Sequence, residues 1–297
     1  MNTASTYVNS VAEYLEYINS IEFIAKRTYS VSSYTFFRGQ SNKEWSLSPN
    51  LYRKNLFASE SLLLTELRHI CPSEFFPNRF DSLVKFQHFG LPTRLMDTTT
   101  NPLVALFFAC NSIGEMGNDG KVYIFPNLPV SWSTDPLVDL IMDYVFTKSP
   151  HKVWLDEILA ASKKKYADVT SRLMPDDILS LLHYYKMPAF AVMPANTNKR
   201  LEAQDGAFFV FGMKVTSKEV SNNPGTLNRV YYDFAPVVID SPTQICHNAS
   251  EIIIPSSAKK QILHQLDMLG VNERKLFPDL EHQIKYTIQD VIYNGIK

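Results

Sequence analysis

Residues 86–109 read Phe-Gln-His-Phe-Gly-Leu-Pro-Thr-Arg-Leu-Met-Asp-Thr-Thr-Thr-Asn-Pro-Leu-Val-Ala-Leu-Phe-Phe-Ala, and no other stretch restricts the fold as tightly. Its second half dictates a helix. Asn101 suits an N-cap, because its side-chain oxygen accepts a free amide of the first turn. Pro102 then falls at the first helical position, where a missing N–H is harmless. From Leu103 to Cys110 the residues are apolar on every side, so protein must cover this helix all round. The first half sets a histidine, an arginine, an aspartate and a row of threonines directly ahead of it. Polar side chains converging on a pocket beside a buried helix account for that mixture, and the helix amides and dipole favour an anion there. An ordinary core helix with an ordinary cap satisfies the second half equally well.

Around this run the local signals are specific. Gly90 stops a short helix over Ser82–Phe89 and leaves His88 at its C-terminal end. Pro92 holds Leu91 extended, so Thr93–Asp97 is expected to form a short strand. Thr93, Leu95 and Asp97 share one face of it, with Arg94 and Met96 on the other. Upstream, Tyr34–Gly39 is aromatic and β-prone and ends on Arg38-Gly39. A guanidinium at the end of an apolar strand needs an acid, a carbonyl or a ligand phosphate, and Gly39 permits close approach of backbone or ligand. Downstream, Gln204 precedes the apolar strand Ala207–Phe211 and offers both donor and acceptor ends to a ligand. Each residue has a structural alternative. Arg38 pairs with a carboxylate, Arg94 and Asp97 fix the strand, His88 caps its helix, and Gln204 bonds local backbone.

With 29 basic and 30 acidic residues, the formal net charge is −1, so no bulk field draws nucleic acid or anionic lipid. Cys71, Cys110 and Cys246 lack CxxC spacing and suggest neither a disulfide framework nor a zinc site; no metal site is expected. The opening MNTASTYVNS has no basic and then apolar region, so it does not read as a secretory signal. No apolar run approaches membrane-spanning length. A cytoplasmic protein without a membrane partner is the expectation.

Ser10 and Glu13 have capping-box spacing ahead of a helix running to about Lys26. Lys121–Phe125 reads as a strand closed by Pro126 and Pro129. Pro136–Met174 reads as helical, with segments Val138–Phe146 and Lys152–Tyr166, a helical insertion over about 130–185. Ala189–Met193 and Glu251–Pro255 are strands. Ser256 caps a helix running to Leu269, and Ile284, Ile288 and Ile292 line one face of a last helix taken as scaffold. Residues 1–297 are therefore expected to form one α+β domain, a curved or split mixed β-sheet surrounded by helices.

Three segments together carry a resemblance: Phe37-Arg38-Gly39-Gln40, Gln87–Asp97, and Asn101–Ala109. They resemble the FRG-domain family, and Arg200, Gln204, Gly206, Phe208 and Leu276–Leu280 continue the likeness. Thr98 stands where the family usually has an aromatic, and Met96 where it has leucine. The resemblance implies a bacterial or phage-related protein with a defence or toxin function. It extends more distantly to ADP-ribosyltransferases, which split NAD and pass ADP-ribose to a protein or nucleic acid. That implies an ADP-ribosyltransferase-like core with NAD as substrate. Arg38 would hold NAD, Asp97 would steady cationic character on the sugar, and Gln204 would act on the ribose or the acceptor. Gly39, Gln40, His88, Thr93, Arg94, Thr98 and Asn101 would line the nucleotide. Two other classes fit the same residues. One is a non-catalytic nucleotide- or nucleic-acid-binding sensor or adaptor; the other is a structural interaction domain with Arg38, Arg94 and Asp97 in a buried ion network.

Overall fold

The structure, a computed structural model, describes residues 6–21, 33–147, 153–154, 160, 188–194, 198–221 and 229–294. The strands are β1 (Thr6–Tyr7), β2 (Ser33–Gln40), β3 (Leu95–Thr99), β4 (Gly120–Trp132), β5 (Val153–Trp154), β6 (Ala189–Met193), β7 (Gly206–Phe211), β8 (Met213–Ser221), β9 (Arg229–Pro236) and β10 (Ser250–Ile254). The helices are α1 (Val11–Ser20), α2 (Asn50–Arg53), α3 (Glu60–Ile70), α4 (Arg79–His88), α5 (Pro102–Cys110), α6 (Pro136–Thr147), α7 (Lys199–Ala203), α8 (Lys259–Met268), α9 (Glu273–Leu276) and α10 (Leu280–Asn294). This is the expected α+β class with a curved mixed sheet and surrounding helices. The main sheet runs β1–β10–β4–β2–β3–β7–β6, and β6 returns to pair with β4, which curls five of the strands into a closed ring. A second sheet has the order β5–β9–β8.

Closure depends on the length of β4. The prolines at 126 and 129 were expected to end this strand near Phe125, yet it continues through both to Trp132. Asn127 has φ 58°, and the register with β2 slips between Tyr34 and Phe36. That is a bulge, a place where a proline's missing N–H interrupts no ladder bond. Beyond it, Val130–Trp132 pairs in parallel with β6. Residues 130–132, assigned from sequence to a helical insertion, therefore belong to the ring.

Side chains alternate across the ring as the period of two demands. Phe36, Met96, Tyr123, Phe125, Ala191 and Phe209 fill the inside. On one outer flank Phe37, Val122, Ile124 and Ile252 pack on α1, α5 and α8. On the other, Leu95, Val192, Phe208 and Val210 pack on α3, α4 and α6.

The α5 helix is capped by Asn101, whose Oδ1 accepts from the amides of Leu103 (3.0 Å) and Val104 (3.4 Å). It presses so closely on the sheet that a Cβ at Gly39 would sit 1.9 Å from the Ala105 carbonyl oxygen. The partner that needs Gly39 bare is thus the helix backbone. Gly39→Ala is expected to cost stability near or above the upper end of the ~1–3 kcal/mol typical of overpacking. Urea unfolding checks this against Gly114→Ala, where nothing lies within 4 Å; equal midpoints for the two variants would contradict it.

The remaining elements shift modestly from expectation. The helix bearing His88 starts at Arg79, because Asn78 caps it through the amide of Asp81 (3.1 Å). Gly90, at φ 94°, closes it with Leu91 N–H on the Phe86 carbonyl (2.9 Å). The strand expected over Thr93–Asp97 begins two residues later, at Leu95. The first helix ends at Ser20, and 22–32 lie outside the described residues. Within the expected helix Lys152–Tyr166, Val153–Trp154 is a strand paired with β9; the rest, apart from residue 160, lies outside the described residues. Ser256 opens a 3-10 turn, and its amide donates to Asp119 (2.9 Å) without a side-chain cap on α8. The apolar stripe of α10 is not laid on the core: Ile284, Ile288 and Ile292 are each about half exposed. Among the described residues, no helix is long and apolar enough to cross a membrane.

Candidate functional site

Strands β2 and β3 share a single register pair, Phe37 with Thr99. By contrast, β2 pairs along most of its length with β4, and all five residues of β3 pair with β7. The seam between β2 and β3 opens beyond that pair. A cavity of about 310 Å³ there is lined by Arg38, Gly39, Gln87, His88, Asp97, Thr98, Thr99, Arg200 and Gln204 among others. Its size falls at the lower end of the range for small-molecule sites.

Arg38 comes from the last turn of the pleat in β2, on the same face as Phe36 and its cross-strand partner Tyr123. One guanidinium nitrogen donates to the backbone carbonyl of Asp97, while Nε is buried without a partner. Burial presses its pKa below the ordinary arginine value, with Asp97 opposing; arginine starts so high that the charge is kept. The Tyr123 phenol is pushed up to about 12, mainly by burial and then by Glu251, with Arg38 opposing. Thr98, on the inward face of β3 and 6% exposed, has a buried hydroxyl that likewise lacks a partner.

Asp97 lies exposed at the cavity. Its Oδ1 accepts from Gln87 Nε2 at 2.8 Å. Gln87 Oε1 in turn accepts from the Thr93 hydroxyl, whose oxygen takes the Leu95 amide at 3.1 Å. Thr99 donates to the Gln204 carbonyl at 2.7 Å, tying the seam to the turn before β7. Gln204 Nε2 donates to the Leu276 carbonyl at 2.9 Å, which leaves its Oε1 and one N–H for a ligand.

The charges around this cavity are unbalanced. Arg38 and Arg200 line it, with His88 as a third group that becomes cationic only in acid solution, and Asp97 is the one carboxylate among its described lining residues. Arg53 stands close by, donating to Asn50 Oδ1 at 2.6 Å, and Asn50 lines the cavity. Burial lowers the Arg53 pKa, with Asp97 opposing. Arg200 lies over the Phe277 ring, 4.6 Å from its centre. The His88 pKa is lowered, first by desolvation and then by Arg200, against Asp279 and Glu281. A local excess of positive charge in a chain of net charge −1 marks an anion-seeking site.

Of the residues singled out from sequence, Arg38, Gly39, His88, Asp97, Thr98 and Gln204 meet at this cavity. Gln40, Thr93, Arg94 and Asn101 are placed elsewhere. Arg94, expected to touch the nucleotide, is 2% exposed and forks onto Glu60, with Nε 2.9 and 3.1 Å from the two carboxylate oxygens. Thr93 is 1% exposed and reaches Asp97 only through Gln87. Gln40 is buried at the end of the ring, its amide nitrogen 3.4 Å from the Ser46 carbonyl. Asn101 spends its oxygen on capping α5 and its nitrogen on Asp205 (3.0 Å). That helix end is therefore already supplied with a cap and an acid.

Sequence reasoning passed over Gln87, Asn50 and Arg53. Gln87 had a readable signal: it follows Phe80, Leu83 and Val84 at the i, i+3, i+4, i+7 spacing of a buried helix face. A polar side chain there must meet another polar group. Arg53 had none, since its proximity to Arg38 comes from the chain reversal between β2 and α2. Among the described residues no group of three His, Cys, Asp or Glu side chains is placed to hold a metal ion.

Comparison with known proteins adds the following. Residues 33–116 match the family model of the FRG domain. Uncharacterized protein ycf89 of Trieres chinensis is 32% identical over 76 residues, which cover 25% of this chain and 20% of that protein. The chain thus matches about a fifth of that relative's length. No solved structure matches it significantly. The cavity wall from Phe37 to Phe108 falls inside the matched span, whereas Asn198, Arg200, Leu201, Gln204 and Phe208 are supplied from beyond it. The segment that builds β2, β3, α5 and most of the cavity is therefore an FRG domain.

Proposed function

We propose that the seam cavity binds NAD and that the protein transfers ADP-ribose from it to a protein or nucleic-acid acceptor. One observation carries the reading: Arg38 Nε and the Thr98 hydroxyl are both buried without partners at the wall of one cavity. A buried polar atom left unpaired costs ~1–3 kcal/mol, a cost that a polar ligand offsets. A guanidinium meets phosphate oxygens as a two-pronged fork, so Arg38 takes the pyrophosphate, with Arg53 adding to the field. Cleavage breaks the bond between ribose C1 and the nicotinamide nitrogen, and nicotinamide leaves with the electron pair. The cationic sugar faces the Asp97 carboxylate, an interaction stronger in the transition state than in the ground state. The acceptor nucleophile then bonds to C1 and gives up its proton to water. A cytoplasmic toxin or defence effector is the setting this reading fits.

A second reading, a nucleotide-binding module without turnover, has an observation in its favour. Gln204 is half committed to Leu276, and the lining offers no glutamate among the described residues. Incubating the protein with labelled NAD and cell extract separates the two. Label transferred to a macromolecule supports the transferase, and saturable binding with intact NAD supports the module. Neither binding nor cleavage overturns both.

Binding should depend on pH in a defined sense. The His88 pKa lies below its usual 6.5, so the ring is neutral at pH 7 and gains charge only in more acid solution. Affinity for ADP-ribose is expected to rise as pH falls below about 6.5, by severalfold, and to rise less in His88→Gln. Titration calorimetry at pH 7.5 and 5.5 checks this; parallel pH profiles for the two proteins would contradict it.

A further inference from the structure

Gln87 is absent from the roles assigned above, yet it holds the one carboxylate that they require. We propose that Gln87, locked by Thr93, is a positioning residue that aims the Asp97 carboxylate at the ligand; this rests on the function proposed for the cavity. The direction of each bond follows from donor chemistry. The Leu95 amide donates to Thr93 Oγ1, which leaves the hydroxyl proton for Gln87 Oε1. With its carbonyl end so fixed, the amide can only turn its NH2 toward Asp97 Oδ1, 2.8 Å away. Asp97 Oδ2 has no partner among the described residues and remains as the oxygen for the ligand. The backbone of Asp97 is pinned separately by Arg38, so both ends of the residue are held. Thr93 is 1% exposed and never touches the cavity, but it sets which way the amide of Gln87 points.

The arrangement separates orientation from binding. Gln87→Leu keeps a side chain of similar size on the α4 face it shares with Val84 and removes the bond to Asp97. In the full-length protein we expect kcat for NAD cleavage to fall 10- to 100-fold, with KM within threefold of wild type. Thr93→Val, one bond further away, is expected to lower kcat about three- to tenfold. Gln87→Glu gives a signature that a packing role would not. A glutamate donates to Asp97 only when protonated, and two adjacent carboxylates hold a proton to higher pH. Its activity should therefore recover relative to wild type as pH falls below about 6. A Gln87→Leu kcat within twofold of wild type, or a Gln87→Glu pH profile parallel to wild type, overturns the proposal while leaving NAD chemistry standing. Should the wild type not cleave NAD, the function proposed above fails, and the hydrogen-bond chain is then read by NMR. Slowed exchange of the Gln87 side-chain amide protons, lost in Asp97→Ala and in Thr93→Val, supports the chain. Exchange unchanged by either substitution overturns it.

Discussion

Arg94→Leu is expected to lower the free energy of unfolding by roughly 3–5 kcal/mol, the cost of breaking a buried ion pair from one side. The Arg94 and Glu60 side chains are 2% and 6% exposed. The fork onto Glu60 is joined by an Nη1 bond to the Phe211 carbonyl at 3.3 Å. Removing the arginine strands the buried Glu60 carboxylate in the first turn of α3. A domain holds ~5–15 kcal/mol in total, so this single change takes a large share. The double variant Arg94→Met/Glu60→Leu should recover most of the loss, because the pair's attraction largely offsets its own desolvation. Urea unfolding of both variants checks the pair of statements, and a single variant as stable as wild type would refute them. ADP-ribose affinity of the double variant should stay within about threefold of wild type, as Arg94 lies away from the cavity lining.

Arg38→Ala should behave in the opposite way, harming function far more than stability. The folded chain loses one donor to the Asp97 carbonyl, worth ~1 kcal/mol. A phosphate-bearing ligand loses a charged fork, and two charge-assisted bonds at ~1.5 kcal/mol or more each amount to about a hundredfold in kcat/KM. Arg38→Lys should fall between, keeping the charge and losing the planar fork. The measurements are NAD cleavage and the thermal midpoint on the same samples. An Arg38→Ala protein that cleaves NAD normally but melts far lower would make the arginine structural, the third class open from sequence.

What could be read from sequence follows the reach of each signal. The cap at Asn101, the all-apolar α5 and the strand Ala189–Met193 depend on neighbours within a few residues, and they appear where expected. The passage of β4 through Pro126 and Pro129 does not. Only a bulge and a new partner strand allow it, and both are long-range facts. The site divides likewise. Arg38, Asp97, Thr98 and Gln204 meet because strand ends and the turn before a strand face one seam, a relation legible from their positions on elements. Arg94 was misassigned because its carboxylate partner, Glu60, is 34 residues away and nothing local announces it. Thr93 lies one layer behind the cavity wall, and Gln87, which stands between, was passed over for its more conspicuous neighbour His88.

A crystal structure of the protein with ADP-ribose tests the central claim most directly. We expect the pyrophosphate within hydrogen-bond distance of the Arg38 guanidinium and a ribose oxygen near the Thr98 hydroxyl, between β2 and β3. A ligand seated elsewhere, or bound at the seam with its phosphates turned away from Arg38, would contradict it.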